Sequence, residues 1–294
     1  MADNKWDDLR VGLKVGQYEL TEVLGEGGFG AVFEGVTDNN DSYAIKFSKK
    51  ECVAFVNEEA VLSELRGSGI VPELYSVGSY RSYDYLVLEE CVGSALDIVE
   101  MTGSGQFNAH VVQKILRQSV AALRKLHELS FLHQDLKAEN VFISAPQGPQ
   151  NVVRILLGDL GLVGRHNLGK RINGEIRPGA NVYYASPSGQ LGHTYSTLDD
   201  VLMLSYISWN LQNIPIDKFI GAQSLAYKIH LFEEPNSHLP DKLLWMVPFF
   251  ASIHEAVIED GLNYKLIEEG LEDMMRDTTG LEDLLMVGGD SILG

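Results

Sequence analysis

The feature that most constrains the fold is a change of hydrophobic period partway along the chain. Between residues 11 and 92, segments 18–24, 31–36, 42–49 and 85–88 are rich in β-branched and aromatic residues and read as strands separated by turns. One helix interrupts them, where Glu58, Val61, Leu62 and Leu65 recur at helical spacing before Gly67, Ser68 and Gly69 stop it. From Asn108 the pattern turns helical, with Val112, Ile115, Leu116, Ser119, Leu123 and Leu126 on one face. A short hairpin is expected over 141–144 and 153–157, and further helices over 200–211, 243–257 and 264–275. A β-rich front and a helical rear imply two lobes.

With 294 residues and 45% hydrophobic content the chain can bury a sizeable core. Its formal net charge of -18 argues against a general nucleic-acid binder, which presents clustered Lys and Arg to phosphates. Cys52 and Cys91 lie far apart without metal-ligand spacing and read as reduced thiols of a cytoplasmic or nuclear protein. The opening ten residues are polar and acidic, and no run of about 18 apolar residues occurs. The expectation is a chain that neither enters the secretory route nor spans a membrane.

Four polar or glycine-rich motifs follow one another in a fixed order. The first is Gly25-Glu26-Gly27-Gly28-Phe29-Gly30, where glycines let backbone amides approach phosphates with no Cβ in the way. A dinucleotide site would need this turn to open a helix, yet Ala31-Val32-Phe33-Glu34-Gly35-Val36 is strand-like. The second is Tyr43-Ala44-Ile45-Lys46, a strand lysine able to neutralise phosphate oxygens if a helix carboxylate holds it. Glu58 is the candidate partner, with Glu59 the alternative. The third is His133-Gln134-Asp135-Leu136-Lys137-Ala138-Glu139-Asn140. Here Asp135 can take or orient a hydroxyl proton, Lys137 can stabilise charge on a phosphoryl group, and Asn140 can ligate magnesium. The fourth, Asp159-Leu160-Gly161 at the hairpin's end, offers a second magnesium ligand in Asp159. Each alone has an ordinary reading, as a glycine-rich turn, a solvated lysine or a polar loop. Together and in order they point to Mg2+-assisted phosphoryl transfer from ATP.

On these motifs the chain resembles the eukaryotic protein kinases, and within them the casein kinase 1 family with its tau-tubulin kinase relatives. Tyr184-Ala185-Ser186, Leu191-Gly192 and Asp199-Asp200 match that family's pattern, as do the opening Val15-Gly16-Gln17-Tyr18 and the closing Gly261-Leu262-Asn263-Tyr264-Lys265-Leu266. The resemblance implies an α+β, bilobal protein kinase fold, with a β-rich N-lobe carrying one regulatory helix and a mainly helical C-lobe. Residues 1–14 would be a tail, 15–92 the N-lobe and hinge, and 93–294 the C-lobe. It implies a Ser/Thr protein kinase that moves the γ-phosphoryl group of ATP to protein hydroxyls. Asp200 would pin the catalytic loop, the Glu90 and Val92 backbone would meet adenine, and Val32, Ala44 and Phe142 would sandwich the ring. Counting back from Gly93 puts Glu89 beside the adenine pocket, whereas a one-residue insertion leaves Leu88 there. The cost of burying a carboxylate favours Leu88 or an outward-turned Glu89.

The departures carry information too. Kinases switched by loop phosphorylation usually have an arginine before the catalytic Asp, but here Gln134 stands there, so such phosphorylation is not expected to be required. Leu160 replaces the usual Phe and keeps an apolar plug, and the family's Gly-Thr before Tyr-Ala-Ser is replaced by Ala180 and Asn181. Residues 251–294 hold eleven Asp or Glu and two Lys or Arg, a net of -9, while Arg165, Lys170, Arg171 and Arg177 cluster in the activation segment. That cluster reads either as a solvated basic loop or as a site for acidic or pre-phosphorylated protein substrates. A monomer is expected. A pseudokinase scaffold would be marked by loss of Lys46, Asp135, Asn140 or Asp159, and all four are present.

Overall fold

The computed structural model describes residues 6, 8–27, 30–147, 152–165, 183–193, 195–258, 261–275, 287–288 and 291–292. Residues 1–91 together with 159–161 form one compact unit, and residues 92–158 with 162–294 form a second.

In the first unit, β1 (Lys14–Val15), β2 (Tyr18–Glu26), β3 (Ala31–Val36) and β4 (Ser42–Lys49) lead into helix α1 (Val53–Glu64), which is followed by β5 (Leu74–Tyr80) and β6 (Tyr83–Leu88). The strands make one antiparallel sheet in the order β1-β2-β3-β4-β6-β5. The sequence pattern misses β5, an edge strand in which Ser76, Gly78 and Ser79 supply little β-forming signal. Helix α1 buries Glu58, Val61 and Leu62 along one face, with Leu65 at its C-cap, and the chain then bends through the positive-φ glycines Gly67 and Gly69.

The pleat sorts side chains onto two faces. Register places Val32 opposite Lys46, Lys46 opposite Leu86, and Ala44 opposite Leu88, so these share one face. The other face carries Ala31, Phe33, Ile45, Phe47 and Val87, all buried in a core that also takes in Trp6, Leu9, Val15, Tyr18, Leu20 and Tyr83. Residues 1–14, expected as a tail, therefore include part of the core: Trp6 is only 3% exposed and its ring centroid lies 5.6 Å from that of Tyr83. A single Trp in a polar decapeptide gives no periodic signal, which is why the pattern misses it.

In the second unit, β7 (Cys91–Ser94) runs into α2 (Ala95–Met101), which begins with a capping box: the Ser94 hydroxyl accepts from Asp97 N at 3.1 Å and the Asp97 carboxylate accepts from Ser94 N at 2.8 Å. Helix α3 (Ala109–Glu128) is capped by the Asn108 side chain and buries the apolar face read from sequence. It is followed by β8 (Phe131–Leu132), the hairpin β9 (Val141–Ser144) and β10 (Ile155–Leu157), and β11 (Gly164–Arg165), which pairs with β8. Short α4 (Pro187–Gln190), buried α5 (Thr197–Leu211), α6 (Ser224–Glu233), α7 (Pro235–His238), α8 (Val247–Glu255) and α9 (Tyr264–Met275) complete the unit, with Tyr206, Trp209, Phe219, Phe249 and Phe250 fully or nearly fully buried. Helices α2, α4, α6 and α7 are absent from the sequence reading, and the segment read as 243–257 begins as a 3-10 turn over Asp241–Met246. No helix among the described residues is long and apolar enough to cross a membrane.

The position of Trp6 sets a direct expectation. Trp6→Ala should lower unfolding stability by about 3–5 kcal/mol, the usual cost of truncating a buried Trp, measured as a fall in the denaturant midpoint at unchanged slope. A midpoint equal to the wild type would mean that this segment is the tail the sequence suggested.

Candidate active site

In the first unit the glycine-rich segment forms the turn between β2 and β3, where Gly25 pairs with Val32 and Gly27 N–H donates to Gly30 O at 2.9 Å. Its glycines have different causes. A Cβ on Gly30 would lie 2.5 Å from the Phe47 carbonyl oxygen, so packing against β4 demands glycine there, whereas Cβ atoms on Gly25 and Gly27 would meet nothing within 4 Å. That open space is what a close backbone approach to a ligand requires. Gly28 lies outside the described residues.

Lys46 is the electrostatic centre of this unit. Its Nζ donates to both oxygens of Glu58, at 2.8 and 2.7 Å, and to Asp159 Oδ1 at 3.0 Å. Glu58, not Glu59, is thus the carboxylate at Lys46, because Glu58 lies on the buried face of α1. Burial works to lower the Lys46 pKa, but the charges of Glu58 and Asp159 outweigh it and hold the group firmly as an ammonium. Asp159 arrives from far along the chain, at φ 54, a left-handed conformation that a non-glycine residue adopts at a cost. It is held there partly by Asn57 of α1, whose side-chain N–H donates to Gly161 O at 3.1 Å and Leu160 O at 3.3 Å. Adjacent residues of one helix thereby fix the lysine and the Asp159-Leu160-Gly161 segment. The sequence did not single out Asn57 as this support, since a polar helix residue beside Glu58 carries no spacing signal.

In the second unit, residues 133–140 make a closed set of polar contacts. Asp135 Oδ2 accepts from Lys137 Nζ at 3.0 Å and from Asn140 Nδ2 at 3.1 Å, and Asn140 Nδ2 also donates to the Asp135 carbonyl at 2.8 Å. The Asn140 amide nitrogen is committed to Asp135, which leaves its oxygen as the atom suited to a cation. His133 Nδ1 lies 3.4 Å from Asp135 N, an N–H donor, and its Nε2 donates to Gly158 O at 3.1 Å. Gly158 itself has a packing cause: a Cβ there would stand 2.4 Å from the Phe142 ring.

The backbone of this loop is held by Asp200, near the start of α5. Asp200 Oδ2 accepts from His133 N at 2.7 Å and Oδ1 from Gln134 N at 2.8 Å, with Gln134 at φ 68. Asp200 Oδ2 also takes a hydrogen bond from His127 Nε2 at 2.9 Å. A carboxylate only accepts, so Nε2 carries the proton, and the Tyr264 hydroxyl at the head of α9 bonds to Nδ1. Burial pushes the Tyr264 pKa well up and keeps that hydroxyl protonated as the donor. The neighbouring Asp199 accepts from the Ser186 hydroxyl and, at 2.7 Å, from Ser196 N. The paired aspartates thus have separate tasks, one fixing residue 186 and the helix start, the other fixing the loop. His127 and Tyr264 were not singled out by sequence as its supports.

Of the remaining expected contacts, Ala44 and Val32 lie on the Lys46 face of the sheet, and Phe142 on β9 packs over Gly158. Leu88 ends β6 and is buried, while Glu89 turns to the backbone of Glu73: Glu89 N donates to Glu73 O at 2.8 Å and its carboxylate accepts from Glu73 N at 3.3 Å. Glu90 lies in the two-residue link between β6 and β7, and Val92 lies on β7. Arg165 stacks over Phe131 at 4.7 Å, whereas Lys170, Arg171, Arg177, Ala180 and Asn181 lie outside the described residues. Asp159 in the first unit and Asn140 in the second each carry a hard oxygen donor of the type Mg2+ takes, and among the described residues no group of three or more His, Cys, Asp or Glu could hold a metal by itself.

Comparison with known proteins agrees with this geometry. The family model described as protein kinase domain matches residues 18–215. The chain is 29% identical over 205 residues to the probable serine/threonine-protein kinase zyg-1 of Caenorhabditis briggsae, covering 68% of this chain and 27% of that protein. It is 30% identical over 209 residues to casein kinase 1-like protein HD16 of Oryza sativa subsp. japonica, covering 65% and 29%, and 27% identical over 205 residues to casein kinase I homolog 3 of Schizosaccharomyces pombe, covering 65% and 45%. The chain thus spans about half or less of the length of these relatives. The solved structure of vaccinia related kinase 3 shares the fold, with a TM-score of 0.70 at 17% identity over 92% of both chains. Casein kinase 1 homologues recur among the relatives, and the match over most of its length shows that this chain belongs to the protein kinase domain family.

Proposed function

We propose that this chain is a Ser/Thr protein kinase of casein kinase 1 type that transfers the γ-phosphoryl group of ATP to hydroxyls of protein substrates. The observation that carries the reading is Lys46, a permanent ammonium tied to the regulatory-helix carboxylate of Glu58 and to Asp159. In the reaction, Lys46 neutralises α- and β-phosphate oxygens. Asp135 orients the substrate hydroxyl and takes its proton as the hydroxyl oxygen bonds to the γ-phosphorus. The bond from that phosphorus to the β–γ bridging oxygen breaks, and ADP leaves. Lys137, already within 3.0 Å of Asp135, stabilises charge on the group in transit. Asp159 and Asn140 would hold Mg2+, which when bound supplies charge neutralisation at the phosphate oxygens.

Two finer points belong to the same proposal. Gln134 carries no charge, so this position offers no cation to pair with a phosphorylated loop residue. The basic cluster of Arg165, Lys170, Arg171 and Arg177 in an otherwise acidic chain favours acidic or pre-phosphorylated protein substrates.

The first test is Mg-ATP phosphorylation of casein beside Asp135→Asn, which should lower kcat by about 10²–10⁴-fold while nucleotide affinity persists. Turnover by the variant equal to wild type would end the assignment of Asp135. The second is a bacterially expressed, phosphatase-treated sample, which should phosphorylate casein without pretreatment. Activity appearing only after an upstream kinase has acted would refute independence from loop phosphorylation.

A further inference from the structure

Lys228 on α6 has no part in the chemistry above, yet it is among the most completely buried side chains of the protein, at 0% exposure. Its Nζ donates to the backbone carbonyls of Tyr183 at 2.8 Å and Ala185 at 2.6 Å. The faces of Tyr206 and Phe219 lie 5.4 and 5.3 Å away. No carboxylate pairs with it among the described residues. An amine so placed has backbone oxygens and aromatic rings for company, an arrangement that holds a segment of main chain.

The two carbonyls belong to a strategic stretch. Ser186, next to Ala185, donates to Asp199, and Asp200, next to Asp199, fixes the loop amides beside Asp135. Residues 183–186 also follow directly on the basic segment that carries Lys170, Arg171 and Arg177. We propose that Lys228 is a positioning residue for the protein substrate, clamping the 183–186 backbone and giving that clamp a dependence on pH. The substrate part of this inference rests on the kinase reading, but the clamp does not.

The sign follows from burial. Desolvation pushes the Lys228 pKa from its ordinary 10.5 down to about 7. A state in which the segment lifts and Lys228 reaches water restores the ordinary value, so that open state binds more protons between about pH 7 and 10.5. Acidification through this window therefore favours release, and rising pH favours the clamp. The other titratable groups on α6 and the elements against it are Tyr206, Asp217, Lys218, Tyr227, His230, Glu233, His238 and His254. Lys218 lies over Tyr227, His230 stacks on His238, and His254 on Phe232. None of them contributes to the shift at Lys228, whose cause is burial alone.

The test compares wild type with Lys228→Met, which keeps the length and removes the titrating amine with both of its hydrogen bonds while leaving every histidine in place. Hydrogen exchange of the 183–192 amides, corrected for intrinsic rates, should report an opening constant about tenfold larger at pH 6 than at pH 8 in wild type, as one-proton linkage requires. Lys228→Met should be flat over the same range. At pH 8 the variant should raise KM for casein at least fivefold with KM for ATP within twofold. An unchanged casein KM, or the same pH dependence of exchange in both proteins, overturns the proposal. Should the variant fail to fold, pH-independent exchange in wild type overturns it equally. If wild type does not phosphorylate casein, the kinase reading fails by itself and the exchange measurement still decides the clamp.

Discussion

One ammonium organises the first unit. Lys46 Nζ is drawn to the buried Glu58 of α1 and to Asp159, so a strand, a helix and a segment more than a hundred residues away in sequence meet at one group. Its desolvation is opposed by two carboxylates, which is the condition under which a buried charge is tolerated. Removing any member would strand the others. That mutual dependence explains why residues 159–161 pack with the first unit although the chain on either side belongs to the second.

The second unit solves a similar problem with a carboxylate at the centre. Asp200 gathers the amides of His133 and Gln134 and the imidazole of His127, and Tyr264 backs that imidazole from α9. Gln134 and Asp159 both sit at positive φ, conformations that hydrogen bonding must maintain. Two of the seven positive-φ non-glycine residues among the described residues thus stand in the motifs of the proposed chemistry. Polar hydrogen bonding, added to the buried Leu136 and Leu160, sets the geometry of both loops.

Much of this was legible in the sequence because it depends on short-range pattern. The strands β3 and β4 and the helix α9 fall where alternation and helical spacing put them, and Lys46, Asp135, Asn140 and Asp159 stand in motifs whose spacing reflects local backbone demands. What escaped depends on long-range contacts. Trp6 is apolar in a polar stretch, and only the sheet face it covers gives it meaning. β5 is an edge strand of weak propensity, while Asn57, His127 and Lys228 are ordinary helix residues until their distant partners are in place. The choice between Glu58 and Glu59 was open for the same reason, since only the helix's orientation on the sheet selects one.

The central claim is that Lys46 and its two carboxylates form the phosphate-binding end of a nucleotide site. Calorimetric titration of Mg-ATP and of adenosine into wild type and Lys46→Met separates phosphate recognition from general damage. Loss of a charge-assisted contact, worth about 1.5–3 kcal/mol, should weaken Mg-ATP binding roughly 10–150-fold and leave adenosine affinity unchanged. Equal affinity of both proteins for Mg-ATP, or an equal loss for both ligands, would contradict the account.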